Sequence, residues 1–237
     1  GMDKLNISGS GQFTEFNLPL IQKEIGNDFS IIDVDLREES HGFINGIAIS
    51  FANSKNNANK GLSYDDIIAT ENKNLSSIKI NEPLTIFNTN KTITPIRVEN
   101  ENQLVTNKNI SYLRIPVTDG ELPNDDMVKY FVDFVNNQPE NTWLHFHCKA
   151  GAGRTTTFMI MYDIIKNCNQ VNLNDIIARQ VLLSRIRSRN AVDFFIGKRY
   201  KFLKDFYNDC KNNCLETCSL NMTNDCINSI NENSDIY

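Results

Sequence analysis

The stretch His147-Cys148-Lys149-Ala150-Gly151-Ala152-Gly153-Arg154-Thr155 constrains this chain more than any other. A cysteine and an arginine six positions apart bracket a loop of small residues. An apolar run, Trp143-Leu144-His145-Phe146-His147, leads in, and a helix-like run from Thr155 to Asn167 leads out. The pattern reads as a strand, a tight loop and a helix. Backbone N–H groups of a short loop that opens a helix point inward and form an anion nest. The helix N-terminus adds positive potential, so a phosphate group sits there readily. Gly151 and Gly153 let the backbone approach such a group and take positive φ where needed. Arg154 can grip two phosphate oxygens with its planar fork. Cys148 lies in the same field, which can lower a thiol pKa from about 8.5 to roughly 3.5–7.5 and leave a nucleophilic thiolate at neutral pH. Thr155 is placed to donate its hydroxyl to the sulfur. A buried cysteine ahead of a structural glycine turn would leave Lys149, Arg154 and the absence of bulky loop side chains unexplained.

A nucleophilic thiolate at phosphorus needs a general acid for the leaving oxygen, and the same carboxylate can later act as base. Ile115-Pro116-Val117-Thr118-Asp119-Gly120-Glu121-Leu122-Pro123 has the required form of a strand, an aspartate and a turn. Asp119 is the leading candidate. Glu121, Asp125 and Asp126 compete, although the last two also suit the N-terminal turn of a helix.

At 237 residues and 40% hydrophobic composition, the chain can bury a core of one domain, with room for a small insertion. Its net charge of -5 argues against nucleic acid as a partner. No run reaches the length of a transmembrane helix. Gly1 before Met2 reads as a cloning remnant. The location is cytoplasmic if Met2 is the native start and extracytoplasmic if a leader precedes it. Of six cysteines, Cys168 falls at a helix end and reads as structural. Cys210, Cys214, Cys218 and Cys226 crowd the tail. Metal binding there is the sharper reading and a frayed, thiol-bearing tail the simpler one.

Along the chain, Ser30–Asp35 predicts the first core strand and Asn45–Phe51 a second. Lys60–Ser77 suits a polar helix. Leu84–Phe87, Ile93–Val98 and Gln103–Thr106 read as short β runs of an insertion over 78–110, and Tyr112–Val117 as re-entry into the central sheet. Pro123-Asn124-Asp125-Asp126 opens a helix with its apolar stripe at Val128, Phe131, Val132 and Val135. Asn172 or Asn174 caps another helix through Leu183. Ala191–Asp209 predicts the last helix. The Asn-rich runs at 53–59 and 221–233 read as surface loops or disorder. The layout is one domain over 13–209 with a tail over 210–237.

The chain resembles the bacterial cysteine phytases, also called protein-tyrosine-phosphatase-like inositol polyphosphatases. The likeness lies in Val34-Asp35-Leu36-Arg37-Glu38-Glu39-Ser40-His41-Gly42-Phe43 and in Trp143 through Gly151, continuing from Gly153 to Phe158. It extends to Asp119-x-x-x-Pro123 and Asp175-Ile176-Ile177-x-Arg179-Gln180, and covers about Phe13 to Tyr207. The resemblance implies an α/β protein tyrosine phosphatase-like fold, with a central mixed sheet flanked by helices and a small inserted partial β-barrel. It implies a cysteine-dependent phosphatase with Cys148 as nucleophile, Arg154 on the equatorial oxygens and Asp119 as acid and base. Phosphate contacts are expected from Lys149, Ala150, Gly151, Ala152, Gly153 and Thr155. Ring-phosphate contacts are expected from Arg37 and His41, whose other reading is a strand-end turn with a structural ion pair. Gly120 departs from the histidine the family usually has directly after its general acid, a residue that touches substrate phosphate. Lys198, Arg199 and Lys201 either line the site or form a solvated basic face. No metal and no cofactor are expected. The implied substrate is an inositol polyphosphate, with no nucleic-acid partner and no stable membrane association. The rival expectations are a dual-specificity or tyrosine protein phosphatase, a phosphoinositide phosphatase and a non-catalytic phosphate-binding module.

Overall fold

A computed structural model of the chain describes residues 1–212 apart from 88, 90 and 185. The tail cysteines Cys214, Cys218 and Cys226 lie outside the described residues. The chain divides into two compact units. The first, Asn6–Met159, runs β1 (Ile7–Gly11), α1 (Leu18–Ile25), β2 (Ser30–Arg37), β3 (His41–Ile44), β4 (Ile47–Ser50) and α2 (Tyr64–Ser76). It continues with β5 (Leu84–Ile86), β6 (Lys91–Ile93), β7 (Val98–Glu99), α3 (Glu101–Thr106), β8 (Ser111–Val117), α4 (Asp125–Asn136), β9 (Thr142–Cys148) and the start of α5 (Gly153–Asn167).

Four of these strands form a parallel sheet in the order β1-β9-β2-β8. Side chains alternate across a strand, so the two faces can be read directly. Val34, Leu36, Leu144 and Phe146 are buried on one face. There Phe146 meets Phe131 of α4 with ring centroids 6.0 Å apart, and Phe131 meets Phe158 of α5 at 5.0 Å. The opposite face carries Asp33, Asp35 and Arg37 from β2, His145 and His147 from β9, and Tyr112 and Arg114 from β8, paired across the register. Outside this polar layer sits an apolar cluster of Phe13, Leu18, Ile25, Ile31, Phe43, Leu104, Val105 and Ile110.

Antiparallel pairing is confined to separate sheets, β4-β3-β7 and β5-β6. The expected strand over Asn45–Phe51 is half of a hairpin. Asn45 and Gly46 have φ of +52° and +78° and join Ile44 to Ile47 as a two-residue turn. Asn-Gly favours that turn because both positions need positive φ. The expected β run at Gln103–Thr106 is also corrected, because it lies in helix α3. Asn100 accepts from the Gln103 amide, Gln103 caps the Asn100 backbone in return, and Leu104 and Val105 are buried. A reciprocal cap of this kind outweighs the β preference of a short run. The polar helix starts at Tyr64, capped by Ser63, and α4 is capped by Asn124 as expected.

The second unit comprises Gly1–Leu5 and the chain from Ile160 onward. It includes the rest of α5, then α6 (Leu173–Ser184), α7 (Ser188–Ala191) and a helix over 198–212. The predicted single helix at Ala191–Asp209 is therefore broken. A 3-10 turn spans Val192–Phe194, and Gly197 passes so close to Asp193 that a side chain there would collide with it. The Asp175–Gln180 segment serves a structural network here. Arg179 and Gln180 both donate to the buried Asp163, at 2.7 Å and 2.8 Å, and Asn167 adds a bond of 2.8 Å. Cys168 is buried, as expected of a structural thiol. Among the described residues no helix is long and apolar enough to cross a membrane.

The loop after β9 lies against the end of β1. Gly151 has φ +66°, and a Cβ there would come 2.4 Å from the Gly11 nitrogen and 2.5 Å from the Ser10 carbonyl carbon. Gly120 has φ +78° but nothing within 4 Å of its would-be Cβ. Both positions carry the left-handed strain of about 1–3 kcal/mol for a non-glycine residue, and only Gly151 adds a backbone collision. Gly151→Ala is therefore expected to lower the urea midpoint well beyond the loss from Gly120→Ala. Equal losses would mean that the close approach to β1 is unimportant.

Candidate active site

Strand β9 ends at Cys148, residues 149–152 turn, and α5 begins at Gly153. The thiol is 3% exposed. Burial pushes its pKa up, but the Arg154 guanidinium, the Thr155 hydroxyl and the amides of Thr155 and Ala150 outweigh that and lower it. The thiolate form is thus favoured by a cation and by hydrogen bonds made to the charged sulfur. Lys149 and Ala150 are exposed on the loop, while Gly151, Ala152 and Gly153 are half-buried.

Arg154 is buried and held on several sides. One terminal nitrogen donates to the carbonyls of Leu36 (3.2 Å) and Val117 (2.9 Å), at the ends of β2 and β8. Both terminal nitrogens reach the Glu39 carboxylate, at 2.7 Å and 3.1 Å. One also lies 3.2 Å from Asp119 Oδ1. Among the described residues its buried Nε–H has no hydrogen-bond partner. Glu39 takes a further bond of 2.9 Å from Arg37 Nε. Burial alone would raise the Glu39 carboxyl, but the bond and charge of Arg154, with Arg37, depress it to about 2.

Asp119 follows β8, with its side chain 41% exposed. Its second oxygen accepts from Asn56 Nδ2 at 2.8 Å. The competing carboxylates lie elsewhere. Glu121 is 3.8 Å from Lys60, and Asp125 and Asp126 occupy the first turn of α4. Of the four candidate acids, Asp119 is therefore the one that the fold brings to Arg154, beside Glu39.

Arg37 and His41, the expected ring-phosphate contacts, are both 1% exposed in the fold. Arg37 donates to Glu39, Gln12 (2.5 Å) and Ser50 (2.7 Å). His41 Nε2 lies 3.2 Å from both Asp35 and Glu101. The period-two pattern of β2 puts Arg37 on the covered polar face, and the following turn folds His41 into the same layer. This is the structural ion-pair alternative. Lys198, Arg199 and Lys201 belong to the second unit, where Arg199 is buried and pairs with Asp193 at 3.2 Å.

Two sets of buried side chains have the donor types of a cation site, Asp33–Glu101–His147 and Asp35–His41–Glu101. Their charges already pair. His147 Nε2 lies 2.5 Å from Glu101, and Asp33 and Glu101 raise its pKa well above the usual value against the effect of burial. His41 is raised to about 8, with Asp35 and Glu101 overcoming burial and Arg37. Glu101 also accepts from Gln12 at 2.8 Å. His145 differs, because burial lowers its pKa to about 3 and its ring meets Ser8 and Ser10 at 2.8 Å and 3.0 Å.

Sequence reasoning missed Glu39, Glu101 and Asn56 as partners of the site. Glu39 lies in a recognised segment but carried no assigned role. Asn56 was absorbed into a polar run. A cleft of about 1090 Å³ beside α2, β8 and α4 is lined by Tyr64, Glu71, Arg114, Met127 and Tyr130, and not by Cys148.

Glu39 is ionised in the fold far below its ordinary value of 4.5. Its contribution to stability is complete above about pH 4.5 and is lost as the pH falls toward 2. Glu39→Gln is expected to cost on the order of 3 kcal/mol at neutral pH. It should also flatten the acid limb of stability against pH between those values. Wild-type and variant curves of the same slope across that window would refute the coupling.

The PTP-like phytase family model, described as inositol hexakisphosphate, matches residues 64–166. The PTP-like myo-inositol phosphatase of Mitsuokella multacida, solved with myo-inositol-(1,3,4,5)-tetrakisphosphate, superposes with a TM-score of 0.78 at 34% identity. That match covers 90% of this chain and 39% of that one. The effector protein hopD2 of Pseudomonas syringae pv. tomato is 32% identical over 201 residues, 76% of this chain and 42% of its own length. This chain thus spans about two fifths of each of those proteins. A PTP-like phytase from Bdellovibrio bacteriovorus superposes with a TM-score of 0.76 at 32% identity, over 89% of this chain and 82% of that one. With most of that chain matched, and with the cysteine–arginine loop inside the matched region of the family model, this chain belongs to the PTP-like phytase family.

Proposed function

We propose that this chain is a phosphomonoesterase working through a cysteinyl-phosphate intermediate, with inositol polyphosphates as its substrates. One observation carries the reading. Cys148 is biased toward thiolate within a loop whose arginine is buried and anchored, with an Nε–H that has no partner among the described residues. A tetrahedral dianion meets loop amides, a helix start and that guanidinium together. Membership of a family of cysteine-dependent phosphatases supports the same chemistry.

The Cys148 sulfur attacks phosphorus and forms an S–P bond as the P–O bond to the leaving group breaks. Asp119 gives its proton to the departing oxygen. Water then attacks phosphorus, Asp119 takes the proton from that water, and the S–P bond breaks to release phosphate and the thiolate. Charge on the equatorial oxygens is met by the loop N–H groups and Arg154, which are in place before reaction. The positive charge comes from the chain itself, so turnover is expected without added divalent cation.

Exposed Lys149 supports a substrate with several phosphates. So does the inositol tetrakisphosphate bound by the Mitsuokella relative. The proposal takes residues 13–209 as one catalytic domain with 78–110 as its insertion.

Cys148→Ser should abolish turnover and keep substrate binding, measured by calorimetry. In a panel run with chelator, inositol hexakisphosphate should exceed a phosphotyrosine peptide in kcat/KM. Better turnover of the peptide would transfer the chain to protein substrates. Retained activity in Cys148→Ser would end the thiolate mechanism.

Asp119→Asn removes the transferable proton. Loss of a general acid costs about 10²–10⁴-fold. That loss should appear with an inositol phosphate, whose alkoxide needs protonation, and be far smaller with an aryl phosphate of an acidic phenol. Equal losses on both esters would remove Asp119 from the acid's role.

A further inference from the structure

The Asn-rich loop at 53–59 is organised by its own side chains. Asn53 Oδ1 accepts from the amides of Lys55 and Asn57, both at 3.1 Å, and its Nδ2 donates to Asn57 Oδ1 at 3.0 Å. Two asparagines face inward. Asn59 is 3% exposed and donates to the Glu38 carbonyl (2.9 Å) and Ser40 Oγ (3.0 Å), which pins the loop on both sides of Glu39. Asn56 is 9% exposed, with φ +55°, a left-handed conformation that asparagine tolerates better than most residues.

Both ends of the Asn56 carboxamide are used at the site. Nδ2 donates to Asp119 Oδ2 at 2.8 Å, and Oδ1 accepts from Lys149 Nζ at 3.2 Å. Asp119 is otherwise held by Arg154, at 3.2 Å on its other oxygen. Its neighbour Gly120 has φ +78°, so the aspartate stands at a turn in which Glu121 N donates to the Thr118 carbonyl at 3.0 Å. A general acid must sit within hydrogen-bond reach of the leaving oxygen. The geometry points to Asn56 as a positioning residue. It fixes the plane of the Asp119 carboxyl and couples that plane to Lys149 on the phosphate-binding loop. This rests on the phosphatase reading above.

Asn56→Gly keeps the left-handed backbone and deletes the bridge. Asn56→Asp keeps an acceptor for Lys149 but sets a carboxylate against Asp119. Misplacing a catalytic group by about 1 Å costs about 10²-fold. With wild-type folding checked by circular dichroism and thermal melts, Asn56→Gly should lose about that factor in kcat on an inositol phosphate. The loss on an activated aryl phosphate should be far smaller. Asn56→Asp should be at least as slow on the inositol ester. In an Asp119→Asn background, Asn56→Gly should add little, because the group it positions no longer carries the proton. Equal losses on both esters, or additive losses in the double variant, would overturn the proposal while the wild type stays active. A wild type that turns over neither ester overturns the phosphatase reading and this proposal with it.

Discussion

The Glu39 carboxylate holds the site together. It binds Arg154 with both oxygens and Arg37 with one, so the loop arginine is tied to the turn after β2. Burying one unpaired charge is prohibitive, and burying a matched set is tolerable when every member has a partner. Part of the sheet's polar face follows that rule, while both Asp33 oxygens are buried without a hydrogen-bond partner among the described residues. Arg114 reaches Glu71 at 2.9 Å and Asp35 at 3.3 Å, Tyr112 donates to Asp35 at 2.7 Å, and Glu101 pairs with both His41 and His147. The layer fixes the C-terminal ends of β2, β8 and β9 relative to one another. Those ends lead into Glu39, Asp119 and Cys148.

Geometry and charge then act together at the thiol. Parallel strands place their C-terminal ends at one edge, the usual location of sites in open α/β sheets. The loop from β9 turns there without bulk because Gly151 abuts the β1 backbone. Helix α5 starts within the loop, so its free amides add to the field of Arg154. The terminal nitrogens of Arg154 are committed to the scaffold, and its buried Nε–H has no hydrogen-bond partner among the described residues. A guanidinium can do this because its donors fan out in a fixed plane, which a lysine could not reproduce.

Much of this was legible in the residues. The thiol, the loop glycines and Arg154 lie within a few positions of one another, so their shared chemistry is local. The strands β2, β8 and β9 and the capped helix α4 show as short periodic runs. Other features escaped for identifiable reasons. Strand β1, Ile7-Ser8-Gly9-Ser10-Gly11, has one large apolar residue and pairs only because β9 supplies its ladder. Helix α3 reads as β by composition and is decided by the Asn100–Gln103 cap. The hairpin at Asn45-Gly46 carried a strong turn signal within a run read as a single strand.

The sequence by itself determined the cysteine–arginine loop, its α/β setting and the aspartate at the end of a strand, because each is written in neighbouring residues. Only the tertiary structure decided which charges pair with one another. Arg37 and His41 carry the same chemistry as residues that bind phosphate, yet alternation along β2 and the turn after it bury them in the ion-pair layer. Asn56 looks like any residue of a polar loop, yet it lies between Asp119 and Lys149, which are 63 and 93 positions away in the chain. Contacts at such separation depend on strand order and register, and no local pattern encodes them.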